Sequence, residues 1–507
     1  MEKSNLIKLL SNYGSRLWSL TSVFIFIPLY IKFLGTESYG LISFYALLLG
    51  IIGFADAGMS SAVIKELSNS NDTNYRYSVF KNLEKIYLIV CAVVIFLIII
   101  CASFIADFWI KTDGINRSDL INNIYLIGFG VSLQLLTSLY FGALFALNSQ
   151  VKSNMTQLLW SFAKSALVFI LFIIFTKSIE IYFIWQIVCN LVYILVLRFF
   201  IIKQLKREAE GLPLRLIFEK LPKHIVVYLK GMVFIALISS INIQADKLIT
   251  SSLFNLNIFG FYNLASSLSQ IPIIIATPLV AFAFPLFSKY SDIKDNNHKV
   301  TTLLIFNKVF YLINILITVL VICIMFYTKE ILYLWTKNSI PPTVFPSIVF
   351  DIRMLILGTF FLALQFPFYY MLLAQGKTKY TIYQGVLQLI IGLPLLYFFT
   401  VKFGLYGVPW PWLIINLSSF IYLFYIVSKN FVVFGTKKFY TRIFFSPIII
   451  TALINIGFFT LYKYSEKHFI PFAILSSFVS LMISLIYFNL KHKYRPFEFK
   501  HLYNFPS

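Results

Sequence analysis

Cations inside apolar runs are the residues of this sequence best suited to chemistry. Lys164 lies about eight residues into the apolar run 156–175, which is long enough to cross a bilayer. A cation at that depth costs about 2.5–3.5 kcal/mol on insertion scales, so it normally faces a protein interior or a water-filled cavity. Arg16 and Lys247 also interrupt apolar runs. The three cations predict a polar path for a negatively charged ligand. For Lys164 the alternative is a salt bridge to a neighbouring helix, with Asp56 as one candidate partner.

Polar side chains accompany Arg16 at helical spacing. Asn12, Ser15, Arg16, Ser19 and Ser22 share one face of the first predicted span. Arg16 lies about 9 Å from the end of that helix by helical rise, so its side chain could instead extend to the membrane surface. A side chain that extends to the surface needs no polar neighbours, so we prefer a face that lines a cavity.

Two further polar stripes lie on the seventh and eighth predicted spans. The seventh contains Asn242 and Asp246 beside Lys247, and the eighth contains Asn263 and Gln270. Such residues can line a cavity and contact sugar hydroxyls, although hydrogen bonds between helices would give the same pattern. We predict that these residues, except Asp246, bind substrate together with Asn12, Arg16, Ser19 and Lys164.

Two acids and two amides are further candidates. Asp56 and Asp246 are predicted to act in ion coupling or gating, because carboxylates inside spans are costly and usually functional. A structural pair between Asp56 and Arg16, at similar depth, explains Asp56 equally well. Gln384 and Gln388 are weaker candidates for sugar contact.

Enzymatic chemistry has little support in the sequence. No Ser-His-Asp or paired-carboxylate arrangement can be defended, and the five histidines lie in loops or near span ends. The four cysteines show no metal-ligand spacing, and no Gly-rich phosphate loop is present. We therefore predict no catalytic residue, no metal, no cofactor and no enzymatic activity.

The elements that hold these residues are transmembrane helices. The chain has 507 residues, of which 59% are hydrophobic and only 12% charged, and its mean hydropathy is +0.83. Soluble domains carry about 25% charged residues, so this composition indicates a polytopic membrane protein. Fourteen spans are predicted, at roughly 11–33, 40–64, 86–106, 120–147, 156–176, 180–201, 226–252, 258–287, 303–327, 353–374, 379–400, 406–428, 443–462 and 469–489. Three prolines interrupt the eighth.

The basic residues behind the net charge of +22 are distributed unevenly between the two sides of the predicted membrane topology. With the N-terminus inside, 27 of the 42 basic residues lie in inward segments and 9 in outward loops. This asymmetry predicts cytoplasmic N- and C-termini and a multi-pass protein of the bacterial inner membrane. Because most of the basic charge is explained by topology, nucleic-acid binding is not expected. We also expect no removable signal peptide.

A weak internal repeat divides the chain. Tyr39-Gly40 matches Phe259-Gly260, and two later matches follow in order at offsets of 220–227 residues. Six spans per repeat predict parallel halves related by an axis along the membrane normal. The predicted parts are residues 1–202 (helices one to six), 203–224 (a basic cytoplasmic linker), 225–428 (helices seven to twelve) and 429–507 (helices thirteen and fourteen with a tail).

Short motifs in this order resemble a known family. Pro28, Leu34-Gly35, Tyr39-Gly40 and Asp56-Ala57-Gly58, followed by Asp246-Lys247 and Gly260-Phe261-Tyr262, resemble the polysaccharide-export branch of the multidrug/oligosaccharidyl-lipid/polysaccharide (MOP) exporter superfamily. The Wzx-type O-antigen flippases are most similar. The resemblance implies two six-helix lobes around a central cavity, with two extra C-terminal helices. It also implies export of undecaprenyl-pyrophosphate-linked oligosaccharide for lipopolysaccharide or another surface polysaccharide. Arg16, Lys164 and Lys247 would then hold the pyrophosphate.

Three other functions are alternatives to a flippase. A cation-coupled multidrug exporter of the same superfamily should carry acidic cavity residues, whereas cations outnumber acids in these spans. A membrane glycan polymerase usually needs a large outward loop, and the longest here is about 25 residues. A scaffold in a glycan-assembly complex remains open. The expected partners are the lipid-linked glycan and the bilayer, with a polysaccharide polymerase and a chain-length regulator as candidate protein partners.

Overall fold

The described part of the chain is built from α-helices. A computed structural model describes residues 18, 21–22, 24–69, 72–147, 149–209, 213–217, 226, 240, 243–289, 296–337, 339–430, 439–465 and 468–491, apart from a few side chains. Twelve helices in these residues are long and apolar enough to cross a membrane. The chain forms two compact units, Met1–Asn263 and Leu264–Ser507.

Nine α-helical segments lie in the described residues of the first unit. They are α1 (Phe24–Leu34), α2 (Thr36–Asn69), α3 (Thr73–Phe104), α4 (Arg117–Ala146), α5 (Gln150–Phe162), α6 (Val168–Ile174), α7 (Ile179–Glu208), α8 (243–253) and the beginning of α9 (Leu256–Ser269). Five-residue π-helical turns follow α3 (Ile105–Trp109) and join α5 to α6 (Ala163–Leu167).

The second unit continues with the end of α9. Its other helices are α10 (Ile271–Lys289), α11 (Asn296–Phe326), α12 (Thr328–Thr336), α13 (Phe345–Ala374), α14 (Thr378–Phe403), α15 (Pro409–Asn430), α16 (Phe445–Tyr464) and α17 (Phe469–Lys491). A 3-10 turn (Gly404–Gly407) follows α14, and a π-helical turn (Phe439–Phe444) precedes α16.

The helices confirm the prediction of a polytopic all-α membrane protein. Twelve of the fourteen predicted spans correspond to helices of spanning length and hydropathy. The first predicted span is described only in part, as the short apolar helix α1, and the seventh only at its end, as α8. Several helices exceed the about 20 residues that cross the hydrocarbon, so their ends extend beyond the predicted limits.

Of the three prolines predicted to interrupt the eighth span, only Pro272 lies at a break, whereas Pro278 and Pro285 lie inside α10. Helix α9 ends at Ser269 and α10 begins at Ile271. Pro272 has no N–H to donate to Leu268, so the helical hydrogen-bond ladder is interrupted at this point. The amides of Ile273 and Ile274 both donate to the carbonyl of Gln270, which starts the new helix. The whole segment, Leu256–Lys289, still qualifies as one span.

The core of the first unit lies among α2, α3, α4 and α7. Each of these helices contributes buried apolar side chains to one cluster, for example Val63, Phe80, Leu139 and Leu197 in turn. In the most apolar window of α4, 61% of the residues are buried, against 11% for α3. The low value for α3 leaves an apolar surface that suits contact with lipid.

The core of the second unit lies around α11 and α13. In each of their apolar windows 67% of the residues are buried. The two C-terminal helices pack on α11, where Asn314 donates hydrogen bonds to the carbonyls of Ile443 and Phe444 at 2.8 and 3.0 Å. Tyr311 stacks on Phe488 of α17 at 3.9 Å between ring centroids. The apolar window of α17 is only 17% buried, as its uncharged sequence indicates for a helix in contact with lipid.

Helix α9 packs closely on α2 within the first unit. A Cβ on Gly40 would overlap the backbone carbonyl of Leu256, and one on Gly260 would lie 3.2 Å from the amide nitrogen of Gly40. Absence of side chains at both glycines therefore permits a backbone contact. At the same end, the amide of Asp113 donates to Glu37 at 2.6 Å. These contacts hold the 110–116 loop against the beginning of α2.

Candidate functional site

Lys164 lies in a π-helical turn that neighbouring helices stabilise through hydrogen bonds. Three successive carbonyls of this turn, those of residues 163, 164 and 165, accept side-chain hydrogen bonds. The donors are the Trp185 indole at 2.9 Å, the Gln186 amide at 3.1 Å and the Tyr30 hydroxyl at 3.0 Å. Single π-helical turns inside α-helices occur frequently at functional sites. This one is held in place from both α1 and α7.

Aromatic faces surround the Lys164 ammonium group. Its Nζ lies 4.8 Å from the centroid of Trp160 and 5.7 Å from that of Tyr45. Both distances are within the range of a cation–π interaction. Trp160 is itself fixed, because its ring stacks on Tyr193 at 4.8 Å and its indole N–H donates to Asn190 at 3.1 Å. Aromatic faces therefore stabilise the cation without neutralising its charge.

No carboxylate pairs with Lys164 among the described residues. The alternative partner, Asp56, lies on helix α2, and its side chain is outside the described residues. Lys164 as a whole residue is partly exposed. A cation held by aromatic rings, with hydrogen-bond donors still available, can bind a phosphate oxygen.

Helix α1 lines the same region with aromatic side chains. Tyr30 stacks on Phe169 of α6 at 5.2 Å between centroids, and Phe26 stacks on the same ring at 5.6 Å. Phe33 continues the row and packs edge-on against Phe169 at 5.4 Å. This packing places α1 beside the helix that carries Lys164, as a shared site with the first span requires.

Arg16 and its polar neighbours cannot be placed beside Lys164. Asn12, Arg16, Ser19 and Asn242 lie outside the described residues. Their predicted contacts with substrate stay predictions.

Asp246 and Lys247 lie on α8 in the first unit. The Tyr262 hydroxyl donates to Asp246 at 2.7 Å, which fixes this carboxylate against α9. Lys247 is partly exposed and forms no salt bridge with any described carboxylate. The two side chains are adjacent in sequence but differ in their partners. Asp246 accepts a hydrogen bond from Tyr262, whereas Lys247 has no described carboxylate partner and could bind an anion.

The stripe on α9 is more buried than a cavity lining usually is. Asn263 is 8% exposed and forms a side-chain hydrogen bond with Tyr39, and Ser266 is also buried. Gln270 lies at the break between α9 and α10 and is partly exposed. Of these residues, Gln270 is the most accessible to a ligand.

The two glutamines of α14 are engaged between helices. Gln384 donates to Gln365 of α13 at 2.8 Å, and Gln365 donates onward to the carbonyl of Asn416 at 2.9 Å. Gln388 donates to the Ser419 hydroxyl at 2.8 Å. These amides bind α14 to α13 and α15, so sugar contact is not needed to explain them.

Two charged groups were missed in the sequence analysis. Glu84 of α3 is buried and accepts hydrogen bonds from Arg198 at 2.7 Å, Tyr140 at 2.7 Å and Lys81 at 2.8 Å. Asp351 of α13 is fully buried, and neither of its carboxylate oxygens has a hydrogen-bond partner in the described part of the chain. Asp351 lies just outside the predicted span 353–374, so the sequence did not mark it as a charge inside the membrane. Glu84 was missed for the same reason, because it lies just outside the predicted span 86–106.

The described residues contain no cluster of His, Cys, Asp and Glu side chains that could hold a metal ion.

Comparison with known proteins agrees with this fold. Residues 8–291, more than half of the chain, match the family described as polysaccharide biosynthesis protein. A candidate O-antigen transporter of Shigella flexneri is 22% identical over 382 residues, which cover 75% of this chain and 87% of that protein.

Solved structures show the same architecture. The lipid II flippase MurJ, in an inward closed conformation, superposes with a TM-score of 0.67 at 16% identity, covering 96% of this chain and 100% of that one. An inward-facing multidrug-resistance MATE transporter of the MOP superfamily superposes with a TM-score of 0.66 at 15% identity, covering 82% and 94%. The chain's fold is therefore similar to that of a transporter of the MOP superfamily, and the chain belongs to the polysaccharide biosynthesis protein family.

Proposed function

We propose that this protein is a flippase that moves undecaprenyl-pyrophosphate-linked oligosaccharide, an O-antigen or similar repeat unit, across the bacterial inner membrane. Lys164 carries the proposal, because it is a cation at membrane depth without a described carboxylate partner. The free-energy cost of such a cation is lowered if an anion binds it during each transport cycle. The candidate O-antigen transporter and the lipid II flippase support the same substrate class.

The pyrophosphate would contact Lys164, with Arg16 and Lys247 as the other cations. Asn12, Ser19, Asn242, Asn263 and Gln270 would contact the sugars, and the polyprenyl chain would stay in lipid. Movement would follow alternating access, as in other transporters built from repeats. This transport breaks no covalent bond and needs no catalytic residue.

Asp56 and Asp246 are proposed to couple transport to an ion gradient or the membrane potential. For Asp246 the Tyr262 hydroxyl supplies a neutral hydrogen bond. The substitution Asp246→Asn keeps an acceptor for this bond and removes the charge. We expect Asp246→Asn to fold normally and to lose any dependence of export on the gradient.

The test is export of surface glycan in a strain that depends on this chain. Lys164→Ala should abolish export while the protein remains inserted, and Lys164→Arg should restore part of it. Lys177 is the matched control, because it also lies over an aromatic ring, Phe33 at 5.2 Å, but outside the span. Full export by Lys164→Ala, or equal loss with Lys177→Ala, would show that Lys164 has no role in binding pyrophosphate.

Sidedness and partners belong to the same proposal. The distribution of basic residues supports cytoplasmic termini, which cysteine labelling from either side of the membrane would test. A polysaccharide polymerase and a chain-length regulator are the proposed protein partners. A multidrug exporter is distinguished by drug resistance on expression without any effect on surface glycan.

A further inference from the structure

A cationic pocket lies between the beginning of α5 and the end of α7, away from Lys164. It has a volume of about 420 Å³ and is lined by Lys152, Lys203 and Arg207, together with Ser149, Gln204 and Glu208. The three cations belong to segments that the charge distribution places on the cytoplasmic face. The pocket therefore lies where the headgroups of the inner leaflet are expected.

The pocket carries uncompensated positive charge. In the described part of the chain, no carboxylate pairs with Lys152, Lys203 or Arg207. The single acid of the lining, Glu208, is already paired with Arg76 at 3.0 Å. Three cations around one small volume repel each other, so an anion between them lowers their free energy.

The amino end of α5 also opens into this pocket. Its N-cap residue, Ser149, accepts no capping hydrogen bond, and its hydroxyl donates to Gln204 of α7 at 2.5 Å. The first amides of the helix therefore lack a capping acceptor from Ser149, and amides at the amino end of a helix can bind an anion. This is a second feature, independent of the side-chain charges, that favours a phosphate group.

Exposed apolar side chains continue from the pocket along both helices. On α7, Phe199 is 60% exposed and Leu195 is 65% exposed, one and two turns from Lys203. On α5, Met155 and Leu159 are 56% and 57% exposed. A free inorganic anion would not use this surface, whereas the chain of a lipid would cover it.

We propose that this pocket binds the phosphate headgroup of an inner-leaflet lipid, with its hydrocarbon chain along the exposed surfaces of α5 and α7. Two lipids share this chemistry: an anionic phospholipid of the bilayer, and the pyrophosphate-linked polyprenyl cargo before it enters the transport path. The second source rests on the proposed function, and the first does not.

The test is lipid binding by the purified full-length protein, followed by native mass spectrometry and by titration. The probes are phosphatidylglycerol, undecaprenyl pyrophosphate, phosphatidylcholine and inorganic pyrophosphate. The double substitution Lys203→Gln with Arg207→Gln should weaken binding of the anionic lipids at least tenfold. The control is Lys379→Gln with Lys429→Gln, which removes two exposed cations from other segments assigned to the same face.

The outcomes separate the two sources. If phosphatidylglycerol binds and undecaprenyl pyrophosphate does not displace it, the ligand is a bilayer lipid; if undecaprenyl pyrophosphate binds in preference, the ligand is the cargo. Unchanged binding in the pocket variant, equal loss in the control, or equally tight binding of inorganic pyrophosphate would overturn the proposal. Export through Lys164 is measured separately, so failure of the pocket leaves the proposed function standing and the reverse also holds.

Discussion

Gly40 of α2 and Gly260 of α9 are in backbone contact, with the Cβ position of Gly260 3.2 Å from the amide nitrogen of Gly40. The same two glycines occupy matching positions in the internal repeat, in Tyr39-Gly40 and Phe259-Gly260. The motif is therefore explained by packing: each glycine removes the side chain that would separate the two helices.

We predict that Gly40→Val destabilises the protein by about 3 kcal/mol or more, because the new side chain would collide with the backbone of Leu256 and cannot be relieved by a rotamer change. The measurement is thermal unfolding in detergent. Gly385 of α14 is the matched control, since a Cβ there meets no described atom within 4 Å. If Gly40→Val and Gly385→Val unfold at the same temperature, the close contact has no energetic weight.

Trp160 is predicted to position Lys164 through its ring face. Trp160→Leu removes a cation–π interaction worth about 0.5–2 kcal/mol, so export should fall about twofold to thirtyfold without loss of the folded protein. Trp160→Phe keeps a ring but loses the hydrogen bond to Asn190, and its export should be intermediate. Surface glycan assays with quantification of membrane protein measure both. If Trp160→Leu exported more glycan than Trp160→Phe, the positioning role of Trp160 would be contradicted.

Glu84 is predicted to stabilise the packing of α3 against α4 and α7. Glu84→Gln leaves Arg198 and Lys81 without a charged partner. Breaking a buried pair costs about 3–5 kcal/mol, but Arg198 is 43% exposed, so we expect a smaller loss of about 1–2 kcal/mol. The loss should appear as a lower unfolding temperature in detergent.

Asp107 is the control for Glu84. Its partner Arg117 is 61% exposed, and Asp107 itself is 36% exposed. Asp107→Asn should therefore leave the unfolding temperature almost unchanged. Equal effects of the two substitutions would show that burial does not strengthen the Glu84 interactions.

Gln384→Leu tests whether the amides of α14 serve packing or sugar binding. Loss of its hydrogen bond to Gln365 should cost about 0.6 kcal/mol, the average for such bonds in a membrane protein. The set of glycans exported should not change, because the amide is already engaged. A change in glycan selectivity at unchanged stability would instead favour sugar contact.

The spans and the candidate cation were accessible from sequence because both depend on hydropathy. Fourteen apolar runs were apparent, and twelve are helices of spanning length. Lys164 was identifiable because a cation inside such a run is costly wherever the helix packs. The sequence also marked the break near Pro272, because a proline removes one hydrogen bond at a known position.

Features that depend on contacts between helices were not accessible. The π-helical turn at Lys164 is held by Tyr30, Trp185 and Gln186, which lie on two other helices. Nothing in the local sequence around residue 163 distinguishes it from an ordinary helix. The role of Trp160 likewise depends on Asn190 and requires the packing of α5 on α7. The hydrogen-bonded environment of Glu84 could not be predicted either, because its three donors are distributed over 117 residues of sequence.

The π-helical turn at Ala163–Leu167 also has an evolutionary consequence. Such a turn accommodates one residue more than an α-helix of the same length, and it rotates everything that follows by about 100°. A gain or loss of a single codon in this segment would therefore redirect the face that carries Lys164 while leaving the hydropathy of the span unchanged. Relatives with and without this residue should differ in alignments by a one-residue gap inside an otherwise uninterrupted span.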